Sequence, residues 1–349
     1  MNFKINTRVL GPRQPTYIVA EMSANHNQNY NDAAKIIETA KTCGADAIKL
    51  QTYTPDTLTI DCDKRFFKIK NTIWRGKKLF ELYKETYTPW EWQPKLKELA
   101  EQIGLDFFST AFDPTAVAFL EKLNIPVYKI ASFEIVDLPL IRVVAKTGKP
   151  IIISTGMADI AEIKEAVKTA QEAGCTELSL LKCTSAYPAK PEDANLRTIP
   201  HMYKTFNMPI GLSDHTPGIA VPVAAISLGA CIIEKHLTLS RSNFRADSLF
   251  SLEPHEFKSM VENIRIADKA LGTISYGTSQ HERKGFNFRK SLFVVEKMEA
   301  GQEFSVKNVR SIRPGNGIPT KYLDRIIGKK AVKGIAKGTP LSWDLIEDI

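Results

Sequence analysis

Apolar positions along this chain alternate between two rhythms. Short runs of four to six apolar residues, each ending in polar or charged side chains, alternate with longer stretches whose apolar residues recur every three or four positions. The first rhythm reads as buried strands and the second as helices with one face inward. Tyr17–Ala20 is such a strand, ending at Glu21, and Asn31–Thr42 is a helix with Ala33, Ile36, Ile37 and Ala40 on one face, stopped by Gly44. Strand Asp46–Gln51 follows. Farther on, the alternation predicts helix Trp90–Ile103 and strand Leu105–Ser109, helix Pro114–Lys122 and strand Val127–Ala131, helix Pro139–Ala145 and strand Pro150–Ser154, and helix Ile160–Ala173 and strand Leu178–Lys182. A short helix within Leu196–Phe206 leads to strand Pro209–Leu212, helix Ile219–Leu228 to strand Cys231–Glu234, and a last helix runs Pro254–Ala270. Alternation of this kind means a parallel sheet. Eight strands, each followed by a helix, in about 270 residues predict a closed (β/α)8 TIM barrel. An open doubly wound sheet is the rival, and no Gly-rich fingerprint follows the first strand to support it.

Two stretches break the rhythm. Thr52 to Tyr87 is a long insertion carrying Phe66, Phe67, Trp74 and several lysines. An insertion of that length in a compact domain is usually functional, and a flap over a site is the expectation. From Gly272 to Lys290 the chain turns polar and reads as a linker after a barrel domain of residues 1–271. Residues 291–349 carry short β-like runs, Leu292–Val295 and Leu341–Trp343. Two similar turn segments, Glu299-Ala300-Gly301-Gln302 and Ala336-Lys337-Gly338-Thr339-Pro340, complete the pattern of a small β-rich domain.

Composition narrows the function classes. Hydrophobic residues at 43% and charged residues at 25% are ordinary for a globular protein. The net charge of +8 is spread along the chain without basic blocks interleaved with aromatics, so neither nucleic acid nor a membrane surface is an expected partner. No run approaches the length of a membrane span, and the N-terminus lacks the apolar core of a signal peptide. Cys43, Cys62, Cys175, Cys183 and Cys231 show no paired spacing, which points to free thiols and a reducing cytoplasm.

The chemistry collects at the strand ends. Glu21, Asn25 and His26 follow the first strand, and Lys49 and Gln51 end the second. Ser109, Thr110, Lys129, Ser132, Glu134, Ser154, Thr155, Lys182, Thr184 and Ser185 come next, before Ser213, Asp214 and His215 and then Glu234 and His236. Taken singly, such residues cap helices or snorkel to water. Together they make a polar funnel at the face where barrels keep their chemistry. Lysines with several hydroxyls form an anion site without a P-loop. The chain has six histidines, and His215 and His236 sit at adjacent strand ends beside acids, a pairing that suits a divalent metal. An anion site, a carboxylate and a metal suggest lyase, aldol or phosphate-ester chemistry on a small acid.

These residues also carry a resemblance. Glu21-Met22-Ser23-Ala24-Asn25-His26-Asn27, Lys49-Leu50-Gln51-Thr52-Tyr53, Lys129-Ile130-Ala131-Ser132, Ser154-Thr155-Gly156-Met157, Lys182-Cys183-Thr184-Ser185-Ala186-Tyr187-Pro188, Ser213-Asp214-His215 and Glu234-Lys235-His236 resemble, in order, the motifs of the sialic acid synthase family. Arg289-Lys290-Ser291-Leu292 and Ser311-Ile312-Arg313-Pro314-Gly315-Asn316-Gly317-Ile318 resemble its C-terminal antifreeze-like (SAF) domain. The resemblance implies condensation of phosphoenolpyruvate with an N-acetylated amino sugar to give a nine-carbon acid and phosphate. It implies Mn2+ or Mg2+ on His215 and His236. Lys49, Thr110, Lys129, Ser132, Ser154, Ser185 and Ser213 would hold phosphoenolpyruvate, and Glu21 would be the acid/base residue. Glu134, Tyr187, Glu234 and Asp247 would meet the sugar. The same resemblance implies a domain-swapped homodimer in which Arg313 reaches the partner's sugar site.

Within the family, Ser23-Ala24 and Gln51-Thr52-Tyr53-Thr54-Pro55-Asp56 are closer to the pseudaminic acid branch. Arg245-Ala246-Asp247-Ser248-Leu249-Phe250-Ser251-Leu252 lacks a histidine common in sialic acid synthases proper and adds aromatic bulk, and Ser185 replaces an Asn. A 6-deoxy sugar with two acetamido groups suits such a pocket. N-acetylneuraminic or legionaminic acid synthesis is the alternative within the family. A metal-dependent barrel hydrolase, or a non-catalytic carbohydrate-binding role for the tail, is the alternative outside it.

Overall fold

The computed structural model describes residues 3–70, 74–242 and 247–347. It divides into two compact units, Met1–Gly272 and Thr273–Ile349. The first unit opens with a hairpin, β1 (Phe3–Ile5) and β2 (Arg8–Leu10), whose Phe3, Ile5 and Leu10 join the barrel core. Strands of three residues give no readable alternation, so this hairpin leaves no signature in the sequence.

The barrel strands and helices follow in the expected order. They are β3 (Tyr17–Glu21), α1 (Tyr30–Thr42) and β4 (Ala47–Thr52), then α2 (Pro55–Leu58) and α3 (Leu79–Thr86) inside the insertion, and α4 (Gln93–Gln102). Next come β5 (Asp106–Ala111), α5 (Pro114–Lys122), β6 (Tyr128–Ile130), α6 (Leu138–Ala145), β7 (Ile151–Ser154), α7 (Ile160–Glu172), β8 (Leu178–Cys183) and α8 (Thr198–Phe206). β9 (Ile210–Asp214), α9 (Ala220–Ser227), β10 (Ile232–His236) and α10 (Pro254–Leu271) complete the unit. Strands β3 to β10 form a closed parallel barrel, with β10 pairing back onto β3. The (β/α)8 TIM barrel expected from the alternation is therefore the fold.

Local chemistry explains the helix starts. Asn29, Asp113 and Asp159 accept hydrogen bonds from the first-turn amides of α1, α5 and α7. Gly211 is required in β9, because a Cβ there would come within 2.5 Å of the Ile232 carbonyl and the Leu181 side chain.

Two strand ends differ from the sequence reading. β9 runs on through Ser213 and Asp214, and β10 runs on to His236, where the sequence reading ended them at Leu212 and Glu234. The reading stopped at the first polar residue. In a barrel the upper interior is itself polar, so the ladder continues past the apolar run.

In the second unit, β11 (Ser291–Val294) pairs antiparallel with β12 (Val309–Ile312). The preceding segment holds a capped helical turn, α11 (Gln280–Arg283), and α12 (Leu323–Ile326) follows β12. Leu341–Trp343, expected as a strand, contributes Leu341, whose amide donates to the Leu292 carbonyl and whose carbonyl accepts from the Ile318 amide beside the Pro340–Phe293 bridge, and the chain then enters a 3-10 turn at Trp343–Leu345. Pro340 has no N–H to offer a ladder. Gly301 and Gly338 hold the two similar turns with φ of 75° and 87°. Leu292, Val294, Met298, Phe304 and Val309 centre a separate small core.

Candidate active site

Side-chain alternation decides which residues meet. In β3, β4, β9 and β10, Glu21, Lys49, Gln51, Ser213, Glu234 and His236 occupy positions of one parity, so all turn to the barrel axis. A cavity of about 740 Å3 opens at that end of the barrel. Its walls include Glu21, Lys49, Thr110, Lys129, Ser132, Glu134, Ser154, Ser185, Tyr187, Ser213, His215, Glu234, His236 and Asp247. Arg313 lies in the second unit, exposed in the turn after β12. Arg245 and Ala246 lie outside the described residues.

Other polar strand-end residues have structural work. Asn25 donates to the Leu237 carbonyl and to Ser251, tying down the chain after β10. His26 is buried, its Nε2 3.1 Å from Thr88 Oγ1, and burial pushes its pKa down to about 4. Thr155 donates to the Leu181 carbonyl, and Lys182 donates to the Cys183 carbonyl. None of these four lines the cavity.

The cationic wall is assembled from neighbouring strands. Lys49 Nζ lies 2.6 Å from Glu21 Oε2 and 3.6 Å from Glu234 Oε1, and it donates to Thr110 at 3.0 Å. Lys129 Nζ donates to Ser154 Oγ at 2.7 Å and to the Ile130 carbonyl at 2.9 Å, which leaves a third donor for an anion. Ser213 Oγ donates to Glu234 at 3.1 Å. Gly156 completes this wall. Its amide donates to Ser132 Oγ at 3.1 Å, and a Cβ there would come within 2.1 Å of Ser185 Oγ and 2.7 Å of Ser132 Oγ. Only glycine lets those two hydroxyls converge.

The two central carboxylates are driven apart in acidity. Burial raises Glu21 against the pull of Lys49. Burial acts the same way on Glu234, but Lys129 and Lys49 outweigh it and hold that carboxyl low. Glu21 is thus the group suited to carry a proton, and Glu234 the one that stays charged. Lys129 is lowered by burial, whereas Glu21 and Glu234 outweigh burial at Lys49 and raise it.

His215 and His236 have ring centroids 5.3 Å apart. His215 Nδ1 is 3.1 Å from the Thr184 carbonyl, so that nitrogen carries the hydrogen and Nε2 keeps its lone pair. Burial and the neighbouring His215 hold His236 far below its usual pKa, and its Nδ1 makes no hydrogen bond within the described chain. Burial lowers His215, but Cys183 and the Thr184 carbonyl outweigh it and raise that ring. Two imidazoles side by side, one already oriented through a backbone carbonyl, are a donor set that fits a divalent metal. Among the described residues no group of three or more His, Cys, Asp or Glu is placed to hold one, so the pair suits an ion that keeps open positions for water or substrate oxygens.

The opposite wall is apolar and comes from the insertion. Tyr53, Leu58, Ile69, Leu79, Leu82 and Tyr83 line the same cavity, joined by Phe112 from the loop after β5. The Tyr53 ring packs edge-on against Tyr83 at 5.8 Å and Phe112 at 5.3 Å, and its hydroxyl is 2.9 Å from Thr86 Oγ1. The expected flap is therefore a wall of the site. Sequence reasoning did not single out Ser23, Cys183 or Gly156 as site residues, although all three stand inside the motifs it quoted. Ser23 Oγ donates to Asp247 and accepts from Gln51 Nε2, while Cys183 Sγ lies 3.8 Å from His215 Nδ1.

The profile of the NeuB family matches residues 36–276. The chain belongs to the NeuB family. The SAF-domain profile matches residues 289–347 of this NeuB-family chain. The chain is 44% identical to the pseudaminic acid synthase of Helicobacter pylori over 96% of its own length and 98% of that protein. It is 36% identical to the N,N'-diacetyllegionaminic acid synthase of Legionella pneumophila, over 99% of each. Among solved structures, the N-acetylneuraminic acid (sialic acid) synthetase of Leptospira borgpetersenii, in complex with citrate, superposes with a TM-score of 0.73 at 29% identity, over 82% of this chain and 95% of that one. The sialic acid synthase resemblance read from the strand-end motifs is thereby established at the family level.

Proposed function

We propose that this chain condenses phosphoenolpyruvate with a 2,4-diacetamido-2,4,6-trideoxy hexose to give pseudaminic acid and phosphate. The observation that carries the reading is the two-sided cavity, cationic and hydroxyl-rich on one wall and apolar on the other, in a chain 44% identical to a pseudaminic acid synthase. Phosphoenolpyruvate is a small trianion that needs the first wall. A sugar with a methyl group at C6 and two acetyl methyls gains from the second.

Lys129, Ser132, Ser154, Ser185 and Ser213 hold the phosphate and carboxylate, with Lys49 and Thr110 completing the clamp. Glu134, Tyr187, Glu234 and Asp247 orient the sugar so that its C1 aldehyde faces C3 of the enol. His215 and His236 would hold a Mn2+ or Mg2+ ion, which would supply Lewis-acid polarisation of that aldehyde. As C3 attacks C1, Glu21 gives its proton to the aldehyde oxygen, which becomes a hydroxyl, while positive charge develops at C2 and Glu234 stabilises it at short range. The Glu21 carboxylate then takes one proton from the water that adds at C2, and the second water proton leaves on the phosphate as the C2 carbonyl forms and the C–O bond breaks.

The second unit acts, in this reading, across a domain-swapped homodimer, with Arg313 covering the partner's sugar site. Support comes from its exposed position and from the exposed apolar Leu271, Ile274 and Tyr276 in the connecting segment. Five free cysteines suit a reducing compartment such as the cytoplasm. No helix of the described residues is long and apolar enough to cross a membrane.

Phosphate release is the test. It is expected only when phosphoenolpyruvate and the diacetamido sugar are both present, with a nine-carbon acid seen by mass spectrometry. Preferential turnover of N-acetylmannosamine would move the assignment to the neuraminic branch. Phosphate release without any sugar would overturn the synthase reading.

A further inference from the structure

Asp214 and Lys235 are the middle residues of the two motifs that supply His215 and His236, and neither lines the cavity. Alternation turns them away from the barrel axis, while Ser213, Glu234 and His236 face it. The strand register sets Lys235 opposite Asp214, one step before the two histidines. Lys235 Nζ lies 2.5 Å from Asp214 Oδ2, and the two side chains are 0% and 2% exposed. The same ammonium also donates to the Thr216 carbonyl. Asp214 in turn accepts from the Thr216 amide at 3.1 Å and from Thr216 Oγ1 at 2.9 Å. His215 therefore sits at the apex of a hydrogen-bonded ring, with both of its chain neighbours fastened to the residue that precedes His236.

Stability alone is a poor reason for such a pair. A buried ion pair is often no better for folding than well-packed apolar side chains of the same volume. An apolar pair would fill the space but would not fix the Thr216 carbonyl and the Asp214 carboxylate at set distances from one ammonium. That fixation matters where only two protein nitrogens hold an ion, because affinity then depends on how well they are pre-positioned.

We infer that the Asp214–Lys235 pair is a positioning brace that sets the spacing of His215 and His236 and, through it, the affinity of the divalent-metal site. The inference rests on the metal reading of those histidines. Neither brace residue touches substrate or metal; each acts through the histidine beside it.

Mn2+ binding, followed by the electron paramagnetic resonance of the free ion, is the readout, alongside thermal unfolding in chelator. Lys235→Met alone strands Asp214 and is expected to unfold early. Asp214→Leu combined with Lys235→Met is expected to recover chelator-state stability yet bind Mn2+ about 10–100-fold more weakly, the usual effect of losing an outer-shell partner. Thr216→Val, which keeps shape and removes only the hydroxyl bonds to Asp214, is expected to fold and to bind Mn2+ several-fold more weakly. Wild-type Mn2+ affinity in the folded double variant, or in Thr216→Val if the double variant does not fold, overturns the brace. His236→Ala separates the two levels: unchanged Mn2+ binding in that variant overturns the metal reading itself, and the brace with it.

Discussion

Lys49 and Glu21 stand at paired positions on adjacent strands and form a buried ion pair with 2.6 Å between Nζ and Oε2. The pair joins the two halves of the proposed chemistry, a cation for phosphoenolpyruvate and a carboxyl whose burial favours its protonated form. Glu21→Gln keeps the shape and loses the transferable proton. It is expected to fold and bind phosphoenolpyruvate while turnover falls about 10²–10⁴-fold, the usual contribution of one acid/base group. Lys49→Met is expected to lose phosphoenolpyruvate binding and to destabilise the fold by on the order of 3–5 kcal/mol, because Glu21 is left buried without its partner. Steady-state phosphate release and chemical denaturation measure the two effects. A near-normal rate in Glu21→Gln would reduce Glu21 to a hydrogen-bonding role.

Glu134 gives a pH signature. Its Oε2 is buried with no hydrogen-bond partner in the described chain, and burial raises its carboxyl from the ordinary 4.5 to about 7. The folded state then holds this proton more tightly than the unfolded chain does. The stability it contributes is fully present below pH 4.5 and is lost as pH rises through 7. Glu134→Gln, neutral throughout, is expected to remove that loss and to be the more stable form at pH 8. Denaturation midpoints across this range decide it; parallel curves for the two proteins would show that Glu134 does not titrate there.

The apolar wall predicts specificity. Leu82 is buried on α3 and faces the cavity. Leu82→Asn is expected to lower kcat/KM for the 6-deoxy acceptor relative to a 6-hydroxy acceptor by about tenfold, the scale of one methylene-sized contact. The ratio within one variant cancels any loss of folded protein. An unchanged ratio would separate this wall from sugar selection.

Arg313 predicts sharing of sites between subunits. Chains carrying Arg313→Ala are mixed with chains carrying Glu21→Gln under conditions where subunit exchange is demonstrated. If the arginine acts on the partner's site, a mixed dimer has one site with both changes and one with neither, and activity partly returns. No recovery would assign Arg313 to its own chain's site or to none.

Much of this was legible from the chain itself. The alternation of apolar strand runs with helical periodicity fixed eight parallel strands, and closure into a barrel followed from their number, because eight twisted strands bring the last back beside the first. The polar residues at the ends of those runs were visible too, since a strand end in such a barrel leaves the packed core and enters the site. What only the tertiary structure decided was which of them meet. His26 and Lys182 stand in the same motifs as residues of the cavity, yet they turn to the Thr88 hydroxyl and the Cys183 carbonyl instead. Gly156 reads as an ordinary turn glycine until Ser132 and Ser185 are seen converging on it from two other loops. Asp214 looks like a site residue in sequence and Lys235 stands inside the neighbouring motif, and the register of β9 and β10 puts both on the other side of the wall, joined to each other. Local sequence sets the parity of each strand, but pairings across residues far apart in the chain exist only once the barrel has closed.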